Sequence, residues 1–459
     1  MNDPNGLVFF EGEYHLFYQY NPFGDQWGHM SWGHAVAPDL IHWRELPVAL
    51  SEENGIMIFS GSAVVDANNS SGLCSAGACL VAIYTGHTAT RQTQNIAFSN
   101  DHGRTWTKYR GNPVIDLGMK DFRDPKVFWY APTRRWIMAV ALPKQKKVRF
   151  FASTNLRHWT ALSDFGPAGA TGGDWECPDL FPLRVEGEAG GTRWLLSVNV
   201  NPGGPYGGSA NQYFVGDFNG ERFTSMDNGP ETLWADYGKD FYASQSYNGI
   251  SISDGRRIWI GWLSNWQYAG EEPTAPWRCM QSIPRALKLV KSANGALRLA
   301  QQPIDELQQL REAGIHVVNA DAAGANRALR GFRSESYEIA AEFDSASDVR
   351  LYVRAGAADK TIIGYSANAG ELFIDRTQSG NTAFSKDFPG RHAGPIRARA
   401  RRMKIDIYVD RSSVEVFGGD GDIVLSDRIF PARGDNGLHI EGNARRLSLN
   451  VWNLKSVWR

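Results

Sequence analysis

Apolar and polar residues alternate in short runs along most of this chain. Lys404-Ile405-Asp406-Ile407-Tyr408-Val409 and Ser413-Val414-Glu415-Val416-Phe417 show the period of two that a half-buried strand requires. Asp, Arg and Ser turns separate such runs from residue 316 onward, which predicts a β-sandwich there. The longest apolar run, Trp136-Ile137-Met138-Ala139-Val140-Ala141-Leu142, is strand-sized and far short of the ~18 residues of a membrane span. One segment breaks the pattern. Ile304, Leu307 and Leu310 lie three apart behind Pro303 and predict a short helix. The basic stretch of residues 397–402 alternates as well and reads as the solvated face of one strand.

The first 290 residues repeat weakly. Ala37-Pro38-Asp39-Leu40-Ile41-His42-Trp43 matches Ser99-Asn100-Asp101-His102-Gly103-Arg104-Thr105-Trp106 and Ser153-Thr154-Asn155-Leu156-Arg157-His158-Trp159, and more faintly Gly216-Asp217-Phe218-Asn219-Gly220-Glu221-Arg222-Phe223. The closing aromatics fall 63, 53 and 64 residues apart. Each unit is an apolar strand, an Asx/Gly turn and a strand opened by an aromatic; Val148-Arg149-Phe150-Phe151-Ala152-Ser153 is one such strand. Units of about 60 residues with several short strands each are what propeller blades produce, and this length holds about five of them. The expected architecture is all-β: a five-bladed β-propeller over residues 1–295, a linker with a short helix over 296–315, and a β-sandwich over 316–459. Tryptophan usage supports the division, because fourteen of the 16 lie between Trp27 and Trp277.

Composition narrows the function. Lys and Arg number 48 against 49 Asp and Glu, a balance that argues against nucleic acid or an anionic membrane as partner. The four cysteines form no C-x-x-C pair, and no structural metal site is expected. Cys74 and Cys79 enclose Ser-Ala-Gly-Ala and read either as a disulfide of an oxidising compartment or as two loop thiols. Residues 1–6 are turn chemistry rather than a signal peptide, so either a leader lies upstream or the chain is cytoplasmic.

Zincin, nucleophile-elbow and Walker motifs are absent, and what remains is a set of acids in turn-forming surroundings. Asp3 sits in Asn-Asp-Pro-Asn-Gly, Asp124 in Phe-Arg-Asp-Pro-Lys and Glu176 in Asp-Trp-Glu-Cys-Pro-Asp. Proline holds each acid's backbone, while aromatics restrict solvent. Glycoside hydrolysis needs two carboxyls about the scissile bond, one ionised and one protonated. Glu176, between Trp175 and Cys177, is expected to have its pKa raised toward ~6 and to be the acid, with Asp3 or Asp124 as the anion. Trp27, Trp32 and Trp262 are available to stack on a sugar ring.

Met1-Asn2-Asp3-Pro4-Asn5-Gly6, Phe122-Arg123-Asp124-Pro125 and Trp175-Glu176-Cys177-Pro178-Asp179 resemble the three hallmark motifs of glycoside hydrolase family 32, the invertases, inulinases and levanases. Phe17-Tyr18-Gln19-Tyr20-Asn21-Pro22, Phe59-Ser60-Gly61-Ser62 and Asp410-Arg411-Ser412-Ser413-Val414-Glu415-Val416-Phe417 extend the resemblance along the chain. It implies a propeller followed by a sandwich, and a retaining release of terminal β-fructofuranosyl units through a covalent intermediate. Asp3 would be the nucleophile, Glu176 the acid and base, and Asp124 with Arg123 the binder of ring hydroxyls. Asn2, Gln19, Trp27, Phe59, Ser60, Cys177, Asp236, Tyr242 and Trp262 would contact substrate. No metal and no organic cofactor is implied.

The segments around Trp262 and Trp277 look most like exo-acting levanases and inulinases. Fructan or sucrose is the expected partner, with oligomerisation open to the sandwich, and secretion or periplasmic export is expected if a polymer is the substrate. The competing readings are a sucrose-specific invertase, a fructosyltransferase, an inverting arabinan-type hydrolase and a catalytically silent sugar-binding propeller. Two departures stand out. The family carries a further stretch before Met1, so Asp3 is expected on a frayed strand. Ala286 stands where relatives commonly carry an acid, a change expected to act on local packing.

Overall fold

The computed structural model describes all residues of the chain except 227–228, 230, 251–253, 293, 397–400 and 458–459. Of the basic stretch, residues 397–400 therefore lie outside the described residues, and Arg402 opens the strand Arg402–Asp410. Among the described residues no helix is long and apolar enough to cross a membrane.

Five four-stranded antiparallel sheets, each a meander of consecutive strands, occupy the first two thirds of the chain. Their opening strands are Pro4–Phe10, Met57–Asp66, Arg123–Tyr130, Asp174–Arg184 and Tyr242–Ser246. Each opening strand packs against the next, and the fifth packs against the first. Where they meet, the interior is polar and crosslinked between sheets. Lys126 reaches Asp179 at 3.0 Å and the Ser246 carbonyl at 2.6 Å, joining the third, fourth and fifth sheets. Asn248 donates to the carbonyls of Ala63 and Val127 and pairs through its backbone with Leu7 and Phe9. Partners from other sheets thus meet buried backbone and charge there, which fixes the sheets relative to one another.

The aromatic repeat is the turn between the third and fourth strands. Trp43, Trp106 and Trp159 each stand immediately before the outermost strand of their sheet, and Phe223 is the first residue of its own. Each indole N–H bonds the carbonyl three residues back, at Leu40, Gly103 and Leu156. Asp39, Asp101, Asn155 and Asn219 accept backbone N–H groups of the same turns, the Asx geometry the sequence pattern predicted.

The fifth sheet takes in the strand Leu297–Pro303, beyond residue 295. The short helix that follows is 3₁₀, over Asp305–Leu310, with Leu307 and Leu310 buried. A spacing of three apolar residues is the period of that helix rather than of the α-helix. The second unit stacks a six-stranded sheet on a five-stranded one. Ile339, Phe343, Leu351, Ile363, Ile374, Ile407, Val416 and Leu449 fill the space between them. Cys74 and Cys79 are joined as a disulfide, whereas Cys177 and Cys279 are buried thiols.

Candidate active site

All five opening strands lose register near the same end. The breaks fall between Asn5 and Val8, Phe59 and Gly61, opposite Ala139 and Ala141, between Glu176 and Asp179, and between Tyr242 and Gln245. Four of them hold a residue with positive φ: Gly6 (56°), Asp124 (67°), Cys177 (45°) and Ala243 (52°). A bulge lets consecutive side chains leave a strand on one side, and so re-aims them. At Gly6 a Cβ would come within 2.5 Å of the Phe17 ring, so only glycine fits. The bulged ends carry, in order, Asp3, Phe59 with Ser60, Arg123 with Asp124, Glu176 with Cys177, and Tyr242.

The three acids converge. Asp3 accepts from Asn2 Nδ2 at 3.0 Å and from Ser60 Oγ at 2.7 Å. Asp124 accepts the Cys177 backbone N–H at 2.9 Å, while the Cys177 thiol lies 3.5 Å from Asp3 Oδ2. Glu176 Oε1 accepts from Arg123 Nε and Nη2 at 3.0 and 2.9 Å, and its other oxygen accepts from the Tyr242 hydroxyl. Arg123 is held in turn by Asp121 at 3.0 Å.

Burial raises the pKa of Asp3, with the Glu176 charge adding to it and the Ser60 and Asn2 hydrogen bonds opposing it. Burial also raises Asp124, against the pull of Arg123 and with the help of Glu176 and Asp3. Cys177 is pushed far up by burial and by the surrounding carboxylates, so it stays a thiol. The sequence placed Trp175 and Cys177 as the cover of Glu176, but the structure turns neither side chain toward it. Strand geometry is the reason: Trp175 points away from Glu176 into the core beside Phe214, and Cys177 turns toward Asp3.

Asp3 is not on a frayed end. The Asn2 N–H bonds the Gln19 carbonyl and the Gln19 N–H bonds the Asp3 carbonyl, while Gln19 Nε2 reaches the Ile58 carbonyl at 3.0 Å. Phe59 stacks on His87 with centroids 4.1 Å apart and meets the edge of Trp27, whose own surface is 55% exposed. Trp32 and Trp262 have no exposed face to offer a sugar. Trp32 donates to the Phe59 carbonyl, and Trp262 backs Tyr242 and Trp266.

Asp236, expected at the substrate, lies instead at the junction of the two units. It binds Arg285 at 2.9 Å and Ser426 Oγ at 2.7 Å, in a buried cluster that includes Glu415. His87, Thr85 and Gln92 were not legible as site residues. Thr85 receives the Asp124 N–H and Gln92 receives the Phe122 N–H and Arg123, so they support the acids from a neighbouring sheet. No motif marks them.

A cavity of about 1430 Å³ opens beside Asn2 and not on the acids themselves; Trp27, Trp266, Trp277 and Gln281 line it, and it continues along the junction to Tyr408 and Leu454. The convergent acids, rather than the size of the cavity, mark the chemistry. Among the described residues no three His, Cys, Asp or Glu side chains are grouped as metal ligands. Paired carboxyls with a guanidinium and a phenol aimed at one of them are suited to proton transfer at a leaving oxygen and attack at the carbon that bears it.

Comparison with known proteins agrees. The family model described as "Glycosyl hydrolases family 32 N-terminal domain" matches residues 1–303, and "Glycosyl hydrolases family 32 C terminal" matches residues 306–453. A levanase of Bacillus subtilis (strain 168) is 48% identical over 470 residues, covering 100% of this chain and 69% of the relative. An extracellular exo-inulinase of Aspergillus niger (strain ATCC MYA-4892 / CBS 513.88 / FGSC A1513) is 39% identical over 504 residues, covering 100% and 93%. The crystal structure of exo-inulinase from Aspergillus awamori superposes with a TM-score of 0.92 at 36% identity, covering 100% of this chain and 96% of that one.

Proposed function

We propose a reaction for this chain, which belongs to glycosyl hydrolase family 32 and is a glycosidase: it releases terminal β-D-fructofuranosyl units from fructans and from sucrose with retention of configuration. Asp3 attacks the anomeric carbon, and Glu176 protonates the leaving oxygen and then draws a proton from water to free fructose. Asp124 and Arg123 hold ring hydroxyls. The observation that carries this reading is the bridge at Cys177: its N–H binds Asp124, its thiol faces Asp3, and its preceding residue is Glu176. Three carboxyls from three sheets are thereby brought onto one site.

The five meanders with their opening strands in mutual contact support a five-bladed propeller as the scaffold, followed by a β-sandwich whose first strand, Arg311–Ala320, begins inside the expected 296–315 linker. The relatives named levanase and exo-inulinase favour a polymer as substrate, and export with it. Early products from sucrose, inulin and levan test the reading. Free fructose alone from both polymers, released first as the β-anomer, is expected. Cleavage of sucrose only would make it an invertase, and release of the α-anomer would overturn retention.

A further inference from the structure

Residues 263–284 join the strands Arg257–Trp262 and Arg285–Lys291 and supply Trp266, Trp277 and Arg278 to the cavity beside Asn2. One carboxylate sets the course of this loop from inside. Glu272 is fully buried; Ser264 Oγ donates to its Oε1 at 2.6 Å, the Cys279 N–H donates to its Oε2 at 3.0 Å, and Arg428 of the sandwich lies 3.3 Å from Oε2. Residues 264, 272 and 279 are thus pinned together on a buried charge of the other unit. A paired, fully bonded buried carboxylate permits little movement. At its far end the loop grips Asn2, whose carbonyl accepts from Gln281 Nε2 at 2.7 Å, and Asn2 in turn donates to Asp3.

Arg278 extends the same bracing outward. Its Nη1 donates to the Glu272 carbonyl, and its Nη2 sits 3.1 Å from Asp25 Oδ2. Asp25 belongs to the opposite wall, the turn between the strands Glu13–Tyr20 and Ser31–Ala37, which also presents Trp27. The ion pair therefore ties together the two segments that hold exposed indoles at this cavity: Trp27 at 55% and Trp277 at 51%. Large aromatic faces held open to solvent beside a site mark a binding surface, and indoles suit the C–H faces of a sugar ring.

We propose that the Asp25–Arg278 pair is a specificity-determining latch that locks the Trp27 turn to the Trp277 loop and so fixes an aromatic rim for sugar units on the leaving-group side of the cleaved bond. The inference rests on the fructosidase reading above. Asp25 and Arg278 are positioning residues; neither is asked to touch the reacting atoms. A disaccharide places one unit beyond the bond, whereas an oligofructan places several, so the latch acts on affinity for longer chains.

The test measures kcat and KM separately for sucrose and for short inulin-type and levan-type oligosaccharides, in wild type, Asp25→Asn, Arg278→Ala, Arg278→Lys and the Asp25→Asn/Arg278→Ala double variant. Folding is checked by circular dichroism. Asp25→Asn and Arg278→Ala are expected to raise KM for the oligosaccharides by about two- to fivefold. Their kcat on sucrose stays at the wild-type level, the double variant is no worse than either single one, and Arg278→Lys recovers part of the loss. Equal rises in KM for sucrose and oligosaccharides, a parallel fall in kcat, or additive effects would overturn the latch. Should the wild type turn over none of these sugars, the fructosidase reading fails, and tryptophan fluorescence titrated with the same oligosaccharides decides the latch alone. Weaker binding by Asp25→Asn supports it; equal binding, or none by any variant, removes it.

Discussion

Arg123 grips Glu176 through two nitrogens, Nε at 3.0 Å and Nη2 at 2.9 Å from the same oxygen, across the gap between the third and fourth sheets. A guanidinium does this with a rigid planar fork, and an ammonium cannot reproduce it. Arg123→Lys is therefore expected to keep the charge and lose the geometry. kcat/KM on sucrose should fall by about 10–100-fold. A wild-type rate would show that charge alone matters at this position.

Glu176→Ala separates chemistry from binding. Turnover is expected to fall by about 10²–10⁴-fold, the usual worth of a positioned acid–base group, while affinity for a fructan, measured by calorimetry, survives. Unchanged turnover would remove Glu176 from its role.

Stability should respond to pH through the buried aspartates. Asp124 has its pKa raised above the unfolded value of 3.8, so between those two values the native state keeps a proton that the unfolded chain has lost. Stability then falls as pH rises through that window. Asp124→Asn is expected to raise the unfolding midpoint at pH 7 by a few degrees, on the order of 2–4 °C per kcal/mol relieved, and to abolish most activity. The gain should vanish below about pH 4, where both states are protonated. A lower midpoint at pH 7 would contradict the raised pKa.

Asp236 should act on stability. Arg285 is fully buried against Asp236 and Glu415, and removing one partner from such a pair costs about 3–5 kcal/mol. Asp236→Ala is expected to lower the denaturation midpoint sharply while KM of the surviving enzyme stays near wild type. A KM effect without loss of stability would return Asp236 to the substrate.

The tryptophans divide in the same way. Trp27→Ala should raise KM with little effect on the unfolding midpoint, because its ring is more than half exposed. Trp32→Ala should destabilise by about 3–5 kcal/mol, as buried aromatic truncations do. Both effects are read from a thermal melt and a sucrose titration on the same preparations.

The sequence by itself determined the all-β class, the repeating Asx-aromatic turn and the three acids, because each is a local property. Alternation reports a strand's two faces, an Asx residue bonds its own turn, and Asn-Asp-Pro, Arg-Asp-Pro and Trp-Glu-Cys-Pro are contiguous. Even the short helix was visible in the spacing of Ile304, Leu307 and Leu310, although its 3₁₀ form needed the structure. Tertiary structure alone decided where those local pieces point. Bulges at the ends of the opening strands turned Cys177 toward Asp3 and left Trp175 in the core, away from Glu176. Thr85, Gln92 and Glu272 matter through partners 39, 30 and 7 residues away in the chain. Asp236 left the site because Arg285 and Ser426, from opposite units, closed around it. Burial and charge pairing are sums over neighbours, and neighbours across sheets are assigned only when the chain has folded.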